Sequence, residues 1–300
     1  MGRILRHHPS LALLAALVLC ASTWAGTAGA SDHGDTPQLS DLKRDDAKIA
    51  DFYAFSRGDR LVLVITVQAA LPADPIQFRF PTDVAYRFMV DRDSAVTAGD
   101  EQEARLFGGA ITDPAAIKED VVVEVRFGPA GHTLKVSGLS PGPDQGVSLY
   151  AGIRDEPFIR STRIGMNLAA IILELPISRV LSAPSKPTIL TWATTDVDEL
   201  GGPQDELGAR AYRSMDQPNH ALNTVHPSLH LAQLGMRPDV IIFDTSRPAA
   251  FPNGRDLTDD VVDLLGRPDQ APFPSTNDLP FLVQFPYLAP PHPAAVAAKH

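Results

Sequence analysis

Hydrophobic and polar positions alternate along most of this chain with the period of strands. Leu61-Val62-Leu63-Val64-Ile65-Thr66-Val67 is a continuous, β-branched run, the pattern of a strand buried on both faces. Val121, Val123, Val125 and Phe127 alternate with Glu124 and Arg126, which predicts a strand with one wet face. Tyr86 to Val90, Thr133 to Val136, Ile171 to Leu175 and Ile189 to Trp192 read the same way. Turns are expected at Gly131-His132, Pro141-Gly142-Pro143 and Asp144-Gln145-Gly146. Helical signals are few. Thr112 to Ile117 fits a turn or two, and Pro227 to Leu234 fits a short helix with Pro227 in its first turn and Gly235 as its stop. Asp256 to Leu265 reads as a helix capped by Asp256 and ended by Gly266-Arg267-Pro268. The expected architecture is mainly β, an antiparallel β-sandwich with a few short surface helices.

The first thirty residues stand outside that pattern. Arg3 and Arg6 precede an apolar run from Leu11 to Ala21, and Ala28-Gly29-Ala30 then offers a small-x-small cleavage pattern. This is the order of a secretory signal peptide, with an apolar stretch too short to span a bilayer. Residues 1–30 are therefore expected to be removed and residues 31–300 to form a single domain, since no Gly/Ser linker or charge run divides them. The expected destination is the periplasm or the exterior. Cys20, the sole cysteine, leaves with the signal, which removes disulfides and thiolate metal sites from consideration. No second stretch approaches the roughly 20 apolar residues of a membrane helix, so no integral membrane association is expected.

Composition narrows the partners further. The 300 residues are 44% hydrophobic, enough for a full core, and 36 Asp+Glu outnumber 26 Lys+Arg for a net charge of −10. That balance excludes nucleic acid as a natural partner, because phosphate binding needs a concentrated basic face. A protein or small-ligand partner is left undefined.

Several segments together resemble a known family. Ser31-Asp32-His33-Gly34-Asp35-Thr36-Pro37 followed by Ile49-Ala50-Asp51-Phe52-Tyr53-Ala54-Phe55 is similar to the opening of the bacterial domain of unknown function 4331, which typically starts with a Ser-Ser-His-Arg-Glu-Ala-Pro type segment and a Thr-Asp-x-Tyr-Ala-Phe strand. Gly152-Ile153-Arg154-Asp155-Glu156-Pro157-Phe158 resembles the family's Gly-x-Arg-Asp-Asp-Pro-Phe turn. Gly165-Met166-Asn167 before Ile171 to Pro176, the stretch Asn219 to Thr224, Asn253 to Val261, and Asn277-Asp278 to Leu288 match further segments in the family's order. The chain departs from the family at Gly34-Asp35 and around Met215 to Pro218. The resemblance implies an exported bacterial protein with no established reaction.

Candidate chemistry is limited to a few groups. Asp32, His33 and Asp35, joined by Asp51 if its strand lies alongside, offer oxygen donors and one imidazole for Ca²⁺ or another divalent cation. Asp91, Asp93, Asp100 and Glu101 form a second acidic stretch, in which Ala95 stands where a calcium loop needs a ligand. His226 and His230 have helical spacing for a zinc site, yet Pro227 between them puts His226 ahead of the helix. Arg154 and Asp155 are expected in a turn, with Arg154 paired to a carboxylate. No Gly-x-Ser-x-Gly elbow, phosphate loop or dinucleotide fingerprint is present. A binding or structural module with a divalent-cation site is the primary expectation, and a periplasmic metal-dependent hydrolase the alternative.

Overall fold

A computed structural model describes residues 36–71, 78–142, 146–157, 165–207, 220–259 and 277–293. It is mainly β, with antiparallel sheets and a few short helices. The first sheet consists of β1 (Ile49–Arg57), β2 (Arg60–Leu71), β9 (Asn167–Pro176) and β8 (Ser148–Asp155), hydrogen-bonded in that order. In the second, β10 (Thr188–Val197), β3 (Val84–Asp91), β6 (Val121–Gly128) and β7 (Gly131–Ser137) follow one another. The outer side of β10 carries two strands end to end. β12 (Ile241–Asp244) pairs residues 188–191 and β11 (Pro203–Leu207) pairs residues 193–196. β4 (Val96–Thr97) and β5 (Ala110–Ile111) make a separate ribbon.

Alternation explains how the layers meet. Leu61, Leu63, Ile65 and Val67 of β2 share one core with Val84, Tyr86, Phe88 and Val90 of β3 and with Val121, Val123 and Val125 of β6. Val62 and Val64 of β2 and Leu168, Ala170 and Ile172 of β9 face the other way, and they are buried as well. There Val62, Val64 and Ile172 pack with Tyr53 and Phe55 against Leu257, Tyr287 and Leu288 from the last part of the chain. β2 is thus buried on both faces because a C-terminal strap, residues 277–293, covers the outside of its sheet. The second sheet is covered too, by a cluster that includes Met89, Trp192, Val240 and Ile242.

Several local expectations change. Tyr86 to Val90 has no wet face apart from Arg87. Ile171 to Leu175, apart from Glu174, and Ile189 to Trp192 are likewise buried on both sides, while Thr133 to Lys135 are all exposed. The cluster around Met89 and Trp192 seals the far side of the second sheet. The β6–β7 turn falls on Pro129-Ala130, and Gly131-His132 already belongs to β7, because Gly128 pairs with Gly131. Asp256 does not cap a helix with its carboxylate. Arg57 takes both of its oxygens, at 2.8 and 3.0 Å, while Asp259 accepts the backbone N–H groups of Asp256 and Phe251. Residues 260–265 of that expected helix, the turn residues 143–145 and the leader 1–30 lie outside the described residues. Among the described residues no helix is long and apolar enough to cross a membrane.

Candidate functional site

The end of β8, the start of β9 and both ends of the strap meet at one point. Asp155 closes β8 and is fully buried, and Asn167, its cross-strand partner on β9, is equally buried. The strap brings Asn277 and Asp278 at one end and His292 at the other. His292 Nε2 is 3.0 Å from Asp155 Oδ1 and 3.1 Å from Asp278 Oδ2. One donor atom from each of Asp155, Asp278 and His292 lies within 4.8 Å of the others, a grouping able to hold a metal ion.

Hydrogen bonds fix each side chain. Asn277 Nδ2 donates to Asp155 Oδ2 at 2.7 Å and to the Leu279 carbonyl at 2.8 Å. The Gly165 N–H donates to Asp278 Oδ2 at 3.1 Å. Asn167 Oδ1 accepts the His292 N–H at 2.8 Å, and its amide reaches the His292 carbonyl at 3.4 Å. The Asp155 N–H donates to the Ala289 carbonyl at 3.3 Å. Proline on both sides of His292 favours the extended backbone that this two-way contact uses.

One atom is left over. Asp155 Oδ1 is buried and accepts no hydrogen bond, although His292 Nε2 lies 3.0 Å away. Burial, together with the neighbouring Asp278 carboxylate, pushes the Asp155 carboxyl up to about 7, against the opposing pull of Asn277 and His292. Two carboxylates and an imidazole form a donor set suited to a borderline divalent cation such as Zn²⁺ or Mn²⁺. A tetrahedral ion bonded at about 2.1 Å needs its donors about 3.4 Å apart. His292 Nε2 stands 3.0 and 3.1 Å from the two carboxylate oxygens, a few tenths of an ångström below that, and all three donor atoms lie within 4.8 Å of one another.

The residues singled out in the sequence are dispersed. Asp32, His33 and Asp35 lie outside the described residues. Asp51 is buried on β1 and pairs with Arg255 at 2.7 Å. Arg154 and Asp155 belong to strand β8 rather than to the expected turn. Arg154 has no ion pair among the described residues, contrary to the expected carboxylate pairing, and its guanidinium lies 4.1 Å over the Tyr150 ring. Asp91 spends its carboxylate on local donors, the N–H groups of Asp93, Ser94 and Lys118 and the Ser94 hydroxyl. Asp100 and Glu103 form a capping box on the helix Glu101–Phe107.

His226 and His230 do not share a face. His226 is extended and caps the turn that begins at Pro227, as the proline requires. Its Nδ1 accepts the Ser228 N–H and lies 2.8 Å from the Ser228 hydroxyl, while Nε2 lies 2.9 Å from Glu119, which holds the Glu119 carboxyl below its ordinary range. His230 is fully buried, with Nδ1 accepting the Asp239 N–H and Nε2 donating to the Val225 carbonyl. The helical stretch does run from Pro227 to Leu234 and stops at Gly235, whose φ of 65° suits glycine.

Asp278 and His292 carry no spacing signal that sequence reasoning could use. The nearest hint is the apolar run Phe281 to Leu288 between them, which marks the tail as something that docks. No protein-family model matches the chain, and no curated protein matches it.

Proposed function

We propose that this chain is an exported member of the family its segments resemble, and that it acts as a divalent-cation-binding module rather than a catalyst, with the ion held by Asp155, Asp278 and His292. The observation that carries the reading is Asp155 Oδ1, a buried carboxylate oxygen without a donor, facing a second carboxylate and an imidazole. An uncompensated buried carboxylate is costly unless a proton or a cation neutralises it. Further support comes from the resembling segments themselves: Gly152 to Pro157 supplies Asp155, Gly165-Met166-Asn167 supplies Asn167, and Asn277-Asp278 opens the strap.

Binding takes an unprotonated nitrogen of His292 and ionised carboxylates, so the ion competes with protons for the site. Equilibrium dialysis of the chain against Zn²⁺, Mn²⁺ and Ca²⁺, followed by metal analysis, tests the reading. Wild type is expected to retain about one Zn²⁺ or Mn²⁺, and Asp155→Asn and His292→Ala to retain none. Equal metal content in all three retires it. Export is tested separately by cell fractionation and N-terminal sequencing, with Ser31 expected as the first residue.

A metal-dependent hydrolase is the second reading. It is favoured by the donor count, since three protein ligands leave a coordination position for water. Chelator-sensitive turnover of phosphoester substrates, lost in Asp155→Asn, would select it over simple binding.

A further inference from the structure

We infer that a divalent cation at Asp155, Asp278 and His292 is the clasp that fastens the C-terminal strap across the outer face of the first sheet, so that cation occupancy governs whether that face is covered. The inference rests on the cation-binding reading above and adds a consequence to it. Its basis is where the three donors sit in the chain. Asp278 and His292 lie near opposite ends of the described segment 277–293, fourteen positions apart, and both come to Asp155 on β8. A cation shared by the three closes that segment into a loop whose two ends are tied to the same strand. Closing a loop with a metal clip removes freedom from the open state in the way a disulfide does.

The part of the strap inside the loop is the part that covers the sheet. Tyr287 and Leu288 are buried there, with the Tyr287 ring 5.9 Å from Phe55 in an edge-on arrangement and its hydroxyl donating to Glu174 at 2.6 Å. Phe281 and Phe285 pack at the same layer. Beneath them lie apolar side chains that a free sheet would expose, among them Phe55, Val64 and Ile172. At the gathered ends, two carboxylates face each other within 4.8 Å, an arrangement that repels when both are charged and is reconciled by a cation between them. The same contact that is unfavourable alone therefore becomes the fastening once an ion is present.

Hydrogen exchange of the full chain at fixed pH, with saturating Zn²⁺ and after removal of Zn²⁺ by a chelator, tests the clasp. Peptides covering 277–293 are expected to exchange at least tenfold faster without Zn²⁺, while peptides from β10 change little. Asp278→Asn in the presence of Zn²⁺ is expected to behave like stripped wild type, and His292→Gln serves if that variant does not fold. Zn²⁺ retained at one ion per chain with unchanged strap exchange on chelation overturns the clasp and leaves the cation reading standing. Absence of Zn²⁺ binding by wild type overturns both.

Discussion

Arg255 reaches Asp51 at 2.7 Å with both side chains buried, and the same guanidinium lies 4.1 Å over the Tyr53 ring and donates to the Phe52 carbonyl. A residue more than two hundred positions downstream is thereby locked to the first strand. The carboxylate of Asp51 answers a buried positive charge. Asp51→Ala strands that charge, and the expected loss is about 3–5 kcal/mol of stability, read from urea denaturation. Zn²⁺ binding per folded molecule should be unchanged, because Asp51 is committed to Arg255. A fall in Zn²⁺ stoichiometry of the folded variant would contradict that assignment.

Asp155 predicts an unusual pH dependence in the cation-free protein. Its folded-state pKa is raised from 3.8 to about 7, so between those values the folded chain holds a proton that the unfolded chain has lost. Stability therefore falls as pH rises from about 4 to about 7 and levels off above. Asp155→Asn has no such proton to lose. In a chelating buffer its melting temperature should exceed that of wild type by more at pH 8 than at pH 5. Parallel pH profiles for the two proteins would refute this origin of the shift.

Added cation should reverse that order. Zn²⁺ at a hundred times its dissociation constant stabilises the folded chain by about 2.7 kcal/mol. Wild type is expected to gain this in thermal denaturation at pH 8, and Asp155→Asn and His292→Ala to gain nothing.

His230 is expected to matter for folding alone. It bridges the Val225 carbonyl and the Asp239 N–H from a fully buried position. His230→Ala leaves both backbone groups unmatched and opens a void, at a cost of roughly 2–4 kcal/mol. Cation content of the folded variant should equal that of wild type, which metal analysis checks.

Tyr287 ties the strap to β9 through Glu174. Burial and the nearby carboxylate push its phenol up to about 12, so ultraviolet titration should find one tyrosine ionising about two units above the ordinary value of 10.0. Tyr287→Phe should remove that late transition and weaken the strap by about 1.5–3 kcal/mol, the range for a hydrogen bond to a charged group.

The fold was largely legible because strand periodicity is a local signal. Leu61 to Val67 announced burial on two faces, and Val121 to Phe127 announced burial on one, from neighbours within a few residues. Tyr86 to Val90 misled because its second cover includes Val240 and Ile242, far downstream in sequence. The histidine pair was readable for a similar reason: Pro227 is adjacent to His226 and forbids the shared face. The site was not readable. Asp155 stood out within its motif, but what makes it chemical is the arrival of Asp278 and His292 more than 120 residues later, and that convergence depends on an apolar tail docking on a sheet. Spacing rules detect ligands carried by one element, and here the donors come from a strand end and the two ends of a strap.

The divided border of β10 has a bearing on how the chain behaves in crowded solution. With β11 and β12 laid end to end, that side of the second sheet offers runs of five and four residues, too interrupted to template an incoming strand. The opposite border is β7, seven residues long and mostly exposed, with Lys135 next to its middle residue, Leu134. Within this sheet, pairing with an incoming strand is left to β7, where Lys135 is the one charged side chain.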